Sequence, residues 1–284
     1  MVSKLNNGGR IIKRFSFFVT AVLIATMLFA SGCSQNGSEE DTMNETEGEV
    51  IEEVTEGATE GATEETTGGI SGGDSDYTPA INPDDFVEAI DNTYFPLTPG
   101  TTFVYEGESE DETIRDEVYV TNETRVVMGV NTTVVRDREF VDGELEEETF
   151  DWYAQDNEGN VWYFGEDSRE YEDGEVVSSA GSWEAGVNGA QPGILIEGDP
   201  QVGDTYRQEY LAGEAEDMAE VVSLNESVSV AYGSFENCLK TKEWTPLEPG
   251  IEENKYYAAG TGLILETTVK GESERLELVD IVTE

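Results

Sequence analysis

The chain has 284 residues, of which 63 are Asp or Glu and 15 are Lys or Arg, giving a net charge of -48 and an isoelectric point near 4.1. A surface this acidic repels nucleic acid and anionic lipid, so we expect no nucleic-acid partner. Histidine is absent, which excludes Ser-His-Asp and Cys-His catalysis and histidine-ligated zinc or haem, and we expect neither a cofactor nor a metal site.

The first 33 residues have the layout of an export signal. A basic start precedes an apolar stretch from Phe15 to Ala30, which is followed by Ser31-Gly32-Cys33. The basic residues are Lys4, Arg10, Lys13 and Arg14. The segment Ala30 to Cys33 resembles the lipobox of bacterial-type lipoproteins, although Ala30 stands where leucine is commoner. This resemblance implies that residues 1–32 are removed as a signal peptide and that the thiol of Cys33 carries a diacylglyceryl group.

Lipidation of Cys33 would anchor the protein on the outer side of the cell membrane, or on the outer membrane of a diderm organism. Removal of the signal would leave 11 basic residues against 63 acidic ones, a net charge of -52. The other cysteine, Cys238, would then have no intramolecular disulfide partner. Two alternatives are an uncleaved membrane anchor, since the apolar run is near the lower length limit for spanning a bilayer, and an ordinary secretory signal.

Residues 33–80 read as an acidic tether. From Ser34 to Ala80 there are 14 Asp and Glu residues and no Lys or Arg, and Thr-Glu-Gly-Ala occurs twice, at Thr55 and at Thr59. Such a segment buries too little apolar area to offset its conformational entropy, so we expect it to be disordered.

The remaining segment, residues 81–284, is predicted to be a β domain. At its start, Asn82 offers a helix cap with Pro83 behind it, and Phe86 and Ile90 would share one face of a short N-terminal helix. Beyond this point the pattern changes to strands rich in Val, Thr, Tyr and Trp, such as 117–121, 132–136 and 150–153. Turn pairs separate them at Asp142-Gly143, Glu158-Gly159 and Asp173-Gly174.

The domain also shows an internal repeat at a spacing of about 103 residues. Gly100-Thr101-Thr102-Phe103 matches Gly203-Asp204-Thr205-Tyr206, and Tyr153-Ala154 matches Tyr257-Ala258. We interpret this as a duplication, with halves at about 95–190 and 198–284. The fold class is therefore all-β, as one large curved antiparallel sheet or an incompletely closed barrel. A pair of separate sandwiches is the alternative.

Several segments resemble those of a group of secreted proteins and lipoproteins to which no activity is assigned. They are Tyr94-Phe95-Pro96-Leu97, Asp151-Trp152-Tyr153-Ala154-Gln155-Asp156, Gly159 to Glu166, Tyr232 to Lys240, and Tyr256-Tyr257-Ala258 with Gly260 and Gly262. The resemblance spans most of residues 90–282. It implies an exported β protein and supplies no catalytic residue.

The candidate ligand-binding residues are aromatic or basic. They are Trp152, Tyr153, Trp162, Tyr163, Trp244, Tyr256, Tyr257, Arg136 and Lys240. The aromatic side chains could line a groove for a lipid, glycan or peptide, or they could simply fill the core. The two cations, which the repeat places in matching strand positions, could bind an anionic head group or could pair with neighbouring glutamates.

Four acids close to tryptophans allow a further hypothesis. Asp151, Asp156, Glu158 and Glu166 could supply the two carboxyls of a glycoside hydrolase, although in so acidic a chain some acids lie near aromatics by composition alone. They do not form an EF-hand calcium loop. Possible N-glycosylation sequons occur at Asn36, Asn44, Asn122, Asn131 and Asn225.

The sequence thus favours a lipid-anchored, extracytoplasmic and non-catalytic protein that binds an amphipathic or polymeric ligand or an envelope component. A structural component of the cell surface, without a small ligand, is the first alternative. The carboxylate-based glycoside hydrolase is the second.

Overall fold

The computed structural model describes residues 77–109, 112–271 and 273–284. The predictions for the signal peptide, for Cys33, for the tether as far as residue 76 and for the sequons at Asn36 and Asn44 lie outside these residues. Asn122, Asn131 and Asn225 lie within them and are exposed. In the described part of the chain, no helix is both long and apolar enough to cross a membrane.

The predicted N-terminal helix is a single 3₁₀ turn, Pro83–Asp85. Asn82 caps this turn as expected, since its side chain accepts a hydrogen bond from the backbone of Asp84. The prediction that the helix continues through Ile90 is wrong. Phe86 is already extended and pairs with Asp156 on a distant strand, so tertiary pairing overrides the local helical pattern.

Sixteen strands follow in the described part of the chain, and every strand pair is antiparallel. In chain order they are β1 (Phe86–Val87), β2 (Thr101–Ser109), β3 (Glu112–Val127), β4 (Val130–Val141), β5 (Glu144–Asp156), β6 (Val161–Glu172), β7 (Glu175–Ser178), β8 (Trp183–Glu184), β9 (Gln191–Ile196), β10 (Thr205–Arg207), β11 (Glu209–Tyr210), β12 (Met218–Ser229), β13 (Ser234–Trp244), β14 (Glu252–Ala258), β15 (Gly262–Lys270) and β16 (Glu274–Thr283). The three predicted strand segments lie within β3, β4 and β5.

All three predicted turns lie in hairpins, Glu158-Gly159 between β5 and β6, and in the other two the backbone reason is clear. Asp142-Gly143 joins β4 to β5, and Asp173-Gly174 joins β6 to β7. All four residues have positive φ, at 49° and 88° in the first turn and 53° and 77° in the second. Aspartate and glycine adopt this conformation most readily, and the resulting turn matches the twist of the flanking strands.

The strands form one large sheet that curls into a nearly closed barrel. The order around it is β10-β12-β13-β14-β15-β16-β2-β3-β4-β5-β6-β9-β11, with β1 beside β5 and with β7 and β8 beside β6. The two ends of this path, β10 and β11, are consecutive in the chain, and the barrel has one unsealed seam. The predicted incompletely closed barrel is confirmed, and the alternative of two sandwiches is wrong.

Residues 205–210, which contain β10 and β11 at the seam, pack closely against the backbone of β9. A Cβ atom on Gly193 would lie 2.3 Å from the carbonyl carbon of Gln208, so no larger residue fits there without a shift. The backbone N–H of Gln208 donates to the carbonyl of Asp217, at 2.8 Å, on the opposite side of the seam.

Both halves of the chain contain a run of sequential antiparallel strands. β2 to β6 form one run and β12 to β16 form the other, and the two meet where β16 pairs with β2. The duplication itself stays a prediction.

One end of the barrel interior is apolar. Phe95 and Leu97, from the segment before β2, are buried there, and the ring of Phe95 packs edge-on against Tyr153 at 5.6 Å between centroids. Asn92 fixes this segment through its side-chain NH₂, which donates to the carbonyls of Gly159 and Glu197 at 2.7 and 3.2 Å. The cavity beside Phe95, Leu97 and Tyr105 measures about 20 Å³, room for little more than one water molecule.

Candidate functional site

The other part of the barrel interior is lined by carboxyl groups. In consecutive strands β3 to β6, Asp116 lies opposite Glu139, Glu139 opposite Glu147, and Glu147 opposite Glu170. Like charges that face each other across strands destabilise a sheet. This row therefore requires protons or compensating partners in the folded protein.

Further buried acids lie in the same part of the barrel, which we call the acidic interior. Those that are almost completely buried are Asp116, Asp137, Glu139, Asp151, Glu166, Glu209, Asp217, Glu243 and Glu266. The sequence places most of them at alternate positions in their strands, together with apolar residues such as Ile114, Val118 and Val135, and this parity turns them inward. The same parity was the one signal in the sequence that could have identified them.

Asp116 and Asp137 form a buried carboxyl pair. Burial raises the pKa of Asp116 well above its usual range, and the neighbouring Asp137 raises it further. Burial also raises the pKa of Asp137, to about 6, while a hydrogen bond from Asp116 opposes that rise. As two carboxylates the pair would have no donor between them, and apart from the backbone N–H of Arg138, which lowers the pKa of Asp137, the described residues give its four oxygens no other hydrogen-bond partner. One shared proton supplies the donor.

A tyrosine bridges a second acid pair. The hydroxyl of Tyr163 lies 2.7 Å from Oδ1 of Asp151 and 2.9 Å from Oε2 of Glu166, two residues that pair across β5 and β6. Burial raises the pKa of both carboxyls well above their usual ranges; the charge of Asp137 raises that of Asp151 further, and the charge of Asp151 raises that of Glu166 further. Because a hydroxyl carries one proton, the second contact needs a protonated carboxyl as its donor.

Among the described residues, Lys255 is the cation that lies in the acidic interior. Its Nζ lies 3.1 Å from Glu243 and 3.6 Å from Glu266, which flank it on β13 and β15. Burial alone would lower the pKa of Lys255, but the facing carboxylates of Glu243, Glu266 and Glu253 raise it. Lys255 therefore stays charged and offsets part of the interior negative charge.

Within the described ranges, no group of three or more Asp, Glu or Cys side chains has the arrangement needed to hold a metal ion. The carboxyls are spread along the barrel wall as pairs and rows rather than gathered around one point. Among the described residues, the negative charge of these carboxyls is thus offset by protonation of some of them and by Lys255.

A different surface lies on the outside of the barrel. It is a groove of about 980 Å³ across β2, β3 and β16, with the turn between β12 and β13 as one wall. Its lining includes Glu106, Arg115, Phe140, Ala231, Arg275 and Glu277. The guanidinium of Arg115 pairs with Glu106 and that of Arg275 with Glu277, each at 2.6 Å, and both arginine side chains remain more than 40% exposed. We call this surface the outer groove.

No family model matches the chain, and no curated protein matches it. Two crystal structures resemble it in part. A "putative exported protein with YmcC-like fold" from Bacteroides fragilis is 15% identical, with a TM-score of 0.42 over 68% of this chain and 100% of that one. A "putative lipoprotein" from Parabacteroides distasonis is 12% identical, with a TM-score of 0.37 over the same shares. Function must therefore be argued from the residues of this chain.

Three of the candidate aromatic residues face the interior. Tyr153, Tyr163 and Tyr257 are at most 2% exposed. The rings of Tyr153 and Tyr163 stack with 4.9 Å between centroids, and the hydroxyl of Tyr257 lies 3.3 Å from Glu243. These tyrosines line the boundary between the apolar and acidic parts of the interior.

Four of the remaining candidates, Arg136, Lys240, Trp244 and Tyr256, lie on the outer face and are not brought together in one site. Lys240 lies over the ring of Tyr256, and Lys242 over Trp244, at 5.3 and 4.8 Å from the centroids. Arg136 lies over Tyr119 at 5.5 Å. Cations thus cover outer aromatic rings, an arrangement that contributes about 0.5–1 kcal/mol at exposed sites.

Trp152 and Trp162 occupy two further environments. Trp152 is buried, with the guanidinium of Arg125 3.9 Å above its ring. The indole N–H of Trp162 donates to Asp156 at 2.8 Å. Neither tryptophan faces the interior tyrosines.

The four acids of the hydrolase hypothesis separate into two groups. Asp151 and Glu166 converge on Tyr163, whereas Asp156 and Glu158 lie at the turn between β5 and β6. There the Asp156 carboxylate accepts hydrogen bonds from the backbone of Glu158 and Asn160, both at 2.9 Å. Asp156 therefore shapes a turn.

Proposed function

We propose that the protein is a lipid-anchored, extracytoplasmic and non-catalytic binding protein, and that its ligand is an extended envelope polymer or a neighbouring envelope component bound in the outer groove. The lipobox-like segment at Cys33 supports the location. The observation that carries the type of ligand is the outer groove, because it is wide, open to solvent and built from strand faces rather than enclosed as small-molecule pockets are.

The interior of the barrel argues against a small ligand held inside. Its apolar end has a cavity of about 20 Å³, and its acidic part is filled by side chains such as Tyr163, Glu166 and Leu239 that are almost inaccessible. A ligand would have to displace these groups, at the cost of buried contacts and hydrogen bonds.

The chemistry of the outer groove suits a polar polymer. Arg115 and Arg275 offer donors and Glu106 and Glu277 offer acceptors, so one surface can bind hydroxyl, amide and charged groups in turn. Phe140 adds an apolar surface between them. Such a mixture favours a glycan or peptide chain over a lipid tail.

Cosedimentation with cell-wall sacculi isolated from the source organism tests this proposal. Arg115→Gln combined with Arg275→Gln should reduce the bound fraction at least fivefold while the melting temperature changes little. Arg169→Gln is the matched control, because Arg169 also forms an exposed ion pair, with Asp167, but lies outside the outer groove. Equal binding by the double variant and the parent protein would overturn the proposal.

A structural role at the cell surface is the second candidate. It is favoured by the aromatic rings that cations cover, since Arg125, Arg136, Lys240 and Lys242 leave those rings less free to contact a ligand. A protein that binds no envelope polymer but assembles with its own copies in crosslinking experiments would support this role.

Hydrolysis is the third hypothesis, and we do not favour it. Asp151 and Glu166 converge, yet they are 0% and 1% exposed. A glycosidic bond would have to reach them through the barrel wall.

A further inference from the structure

The barrel seam is spanned by a side chain from outside the sheet. Tyr77 precedes the first strand, and its hydroxyl donates to the carbonyl of Pro192 on β9 at 3.1 Å. Its ring packs edge-on against Tyr210 of β11, with 5.9 Å between centroids. The guanidinium of Arg207 on β10 lies 5.7 Å from the same ring. Tyr77 therefore contacts both edges of the sheet.

Apart from the 2.8 Å backbone hydrogen bond from Gln208 to Asp217, the other hydrogen bonds across the seam among the described residues are few and long. Beneath Tyr77, the hydroxyl of Tyr206 and the side-chain NH₂ of Gln208 both reach the carbonyl of Leu195, at 3.5 and 3.4 Å. Distances of this length mark weak hydrogen bonds. Elsewhere in the barrel, neighbouring strands are joined by backbone ladders, some of them interrupted by bulges, so the seam has the least backbone pairing to hold it closed.

Arg207, at the seam, is buried mainly against aromatic rings. It is 93% buried, since its exposed fraction is 7%, and its Nε and Nη1 have no hydrogen-bond partner. Its guanidinium lies beside both rings, at 5.7 Å from the centroid of Tyr77 and 4.7 Å from that of Tyr210, while the two rings contact each other edge-on. A cation over aromatic rings gains more when water is excluded, and the ring of Tyr77 covers one side of this contact. Burial also raises the pKa of Tyr77 to about 12, so its hydroxyl remains a donor at neutral pH.

We infer that Tyr77 is a strap that holds the barrel seam closed, and that its release opens the edge formed by β10 and β11 while the rest of the barrel stays folded. Opening there would expose Glu209 and Asp217, two buried acids of the interior next to the seam. Because Tyr77 lies near the end of the segment predicted to be a tether, residues 33–80, a pull on the preceding part of that segment and the opening of the seam act on the same side chain.

Hydrogen exchange of the full chain in detergent, followed by mass spectrometry, tests the strap. Tyr77→Ala should speed exchange at least tenfold in peptides covering 191–196 and 205–210, with no change in peptides covering 132–151. Tyr77→Phe keeps the ring and loses the bond to Pro192, so it should give a smaller increase at the same peptides. If the alanine variant does not fold, the phenylalanine variant alone still tests the strap.

Tyr232→Ala is the matched control, since Tyr232 is a 43% exposed tyrosine away from the seam. It should leave exchange at both seam peptides unchanged. The strap is refuted if neither Tyr77 variant alters exchange at the seam, or if exchange rises equally in all strands. The second outcome would mean that Tyr77 contributes to global stability alone.

Discussion

Lys255 and Glu243 form an ion pair inside the barrel, with 3.1 Å between Nζ and Oε2, although their side chains are only 6% and 4% exposed. Removal of one partner from a buried pair leaves an uncompensated charge. Lys255→Met should therefore lower the free energy of unfolding by about 3–5 kcal/mol, measured by urea denaturation at neutral pH. Lys270→Met is the control, because Lys270 pairs with Glu252 but is 51% exposed; it should cost less than about 1 kcal/mol. Similar losses for both variants would contradict the role assigned to Lys255.

The acidic interior makes stability depend on pH in a defined direction. Burial raises the pKa of Asp137 to about 6 and that of Asp217 to about 8, so the folded state binds more protons than the unfolded state between about pH 4 and pH 8. Stability contributed by these protons is complete below the unfolded pKa and is lost as pH rises through the folded pKa. The melting temperature should therefore be several degrees higher at pH 5 than at pH 8.

A substitution separates this effect from general charge repulsion, which has the same sign. Asp217→Asn removes the buried charge and keeps an oxygen that can accept from Thr245, so it should raise the melting temperature at pH 8 and not at pH 5. Glu175→Gln, at an exposed position, should change the melting temperature little at either pH. A pH profile for the Asn variant that matches the parent would show that Asp217 does not hold a proton.

The bridge between Asp151 and Glu166 depends on one hydroxyl. Tyr163→Phe removes that hydroxyl and leaves two buried carboxyl oxygens without this partner. The free energy of unfolding should fall by about 1–3 kcal/mol, as measured by denaturant titration at pH 7. Tyr232→Phe, at an exposed tyrosine, should leave the free energy of unfolding within about 0.5 kcal/mol of the parent value. A neutral effect at Tyr163 would mean that the two acids satisfy each other.

The outer cations should behave differently from Lys255. Arg136 and Lys240 lie over Tyr119 and Tyr256 on the outer face. Arg136→Gln and Lys240→Gln should each cost less than about 1 kcal/mol, and the double variant should show the sum because the sites are separate. Thermal melts of the four proteins measure this. A loss in the double variant well above the sum would indicate that the two cations share a site.

Anchoring is a prediction of the sequence alone. Two acyl chains hold a protein stably at a membrane, so Cys33→Ser should shift the protein from the membrane fraction to the soluble fraction, or leave it as unprocessed precursor. Fractionation and mass spectrometry of the N-terminus distinguish these outcomes. A Ser variant that is still cut before residue 33 and still carries lipid would exclude the lipobox assignment.

The fold class was predictable because its signals are local. Asp142-Gly143 and Asp173-Gly174 favour positive φ wherever they occur, and alternation in β3, β4 and β5 follows from strand geometry. Local signals were insufficient at Phe86, where a helical pattern gave way to pairing with Asp156. The energy of that pairing depends on a strand 70 residues away, which no local pattern contains.

The sequence by itself determined the acidic composition, the absence of histidine, the strands and several of the turns. The tertiary structure decided which acids face inward and which partners they have, as with Asp151, Tyr163 and Glu166. It also decided that the candidate aromatics divide between an interior set and an outer set, and that Tyr77 crosses the seam to Arg207. The physical reason is that burial, pKa shifts and ring contacts depend on neighbours brought together by barrel closure, and closure joins residues more than 100 positions apart, such as Tyr77 and Pro192.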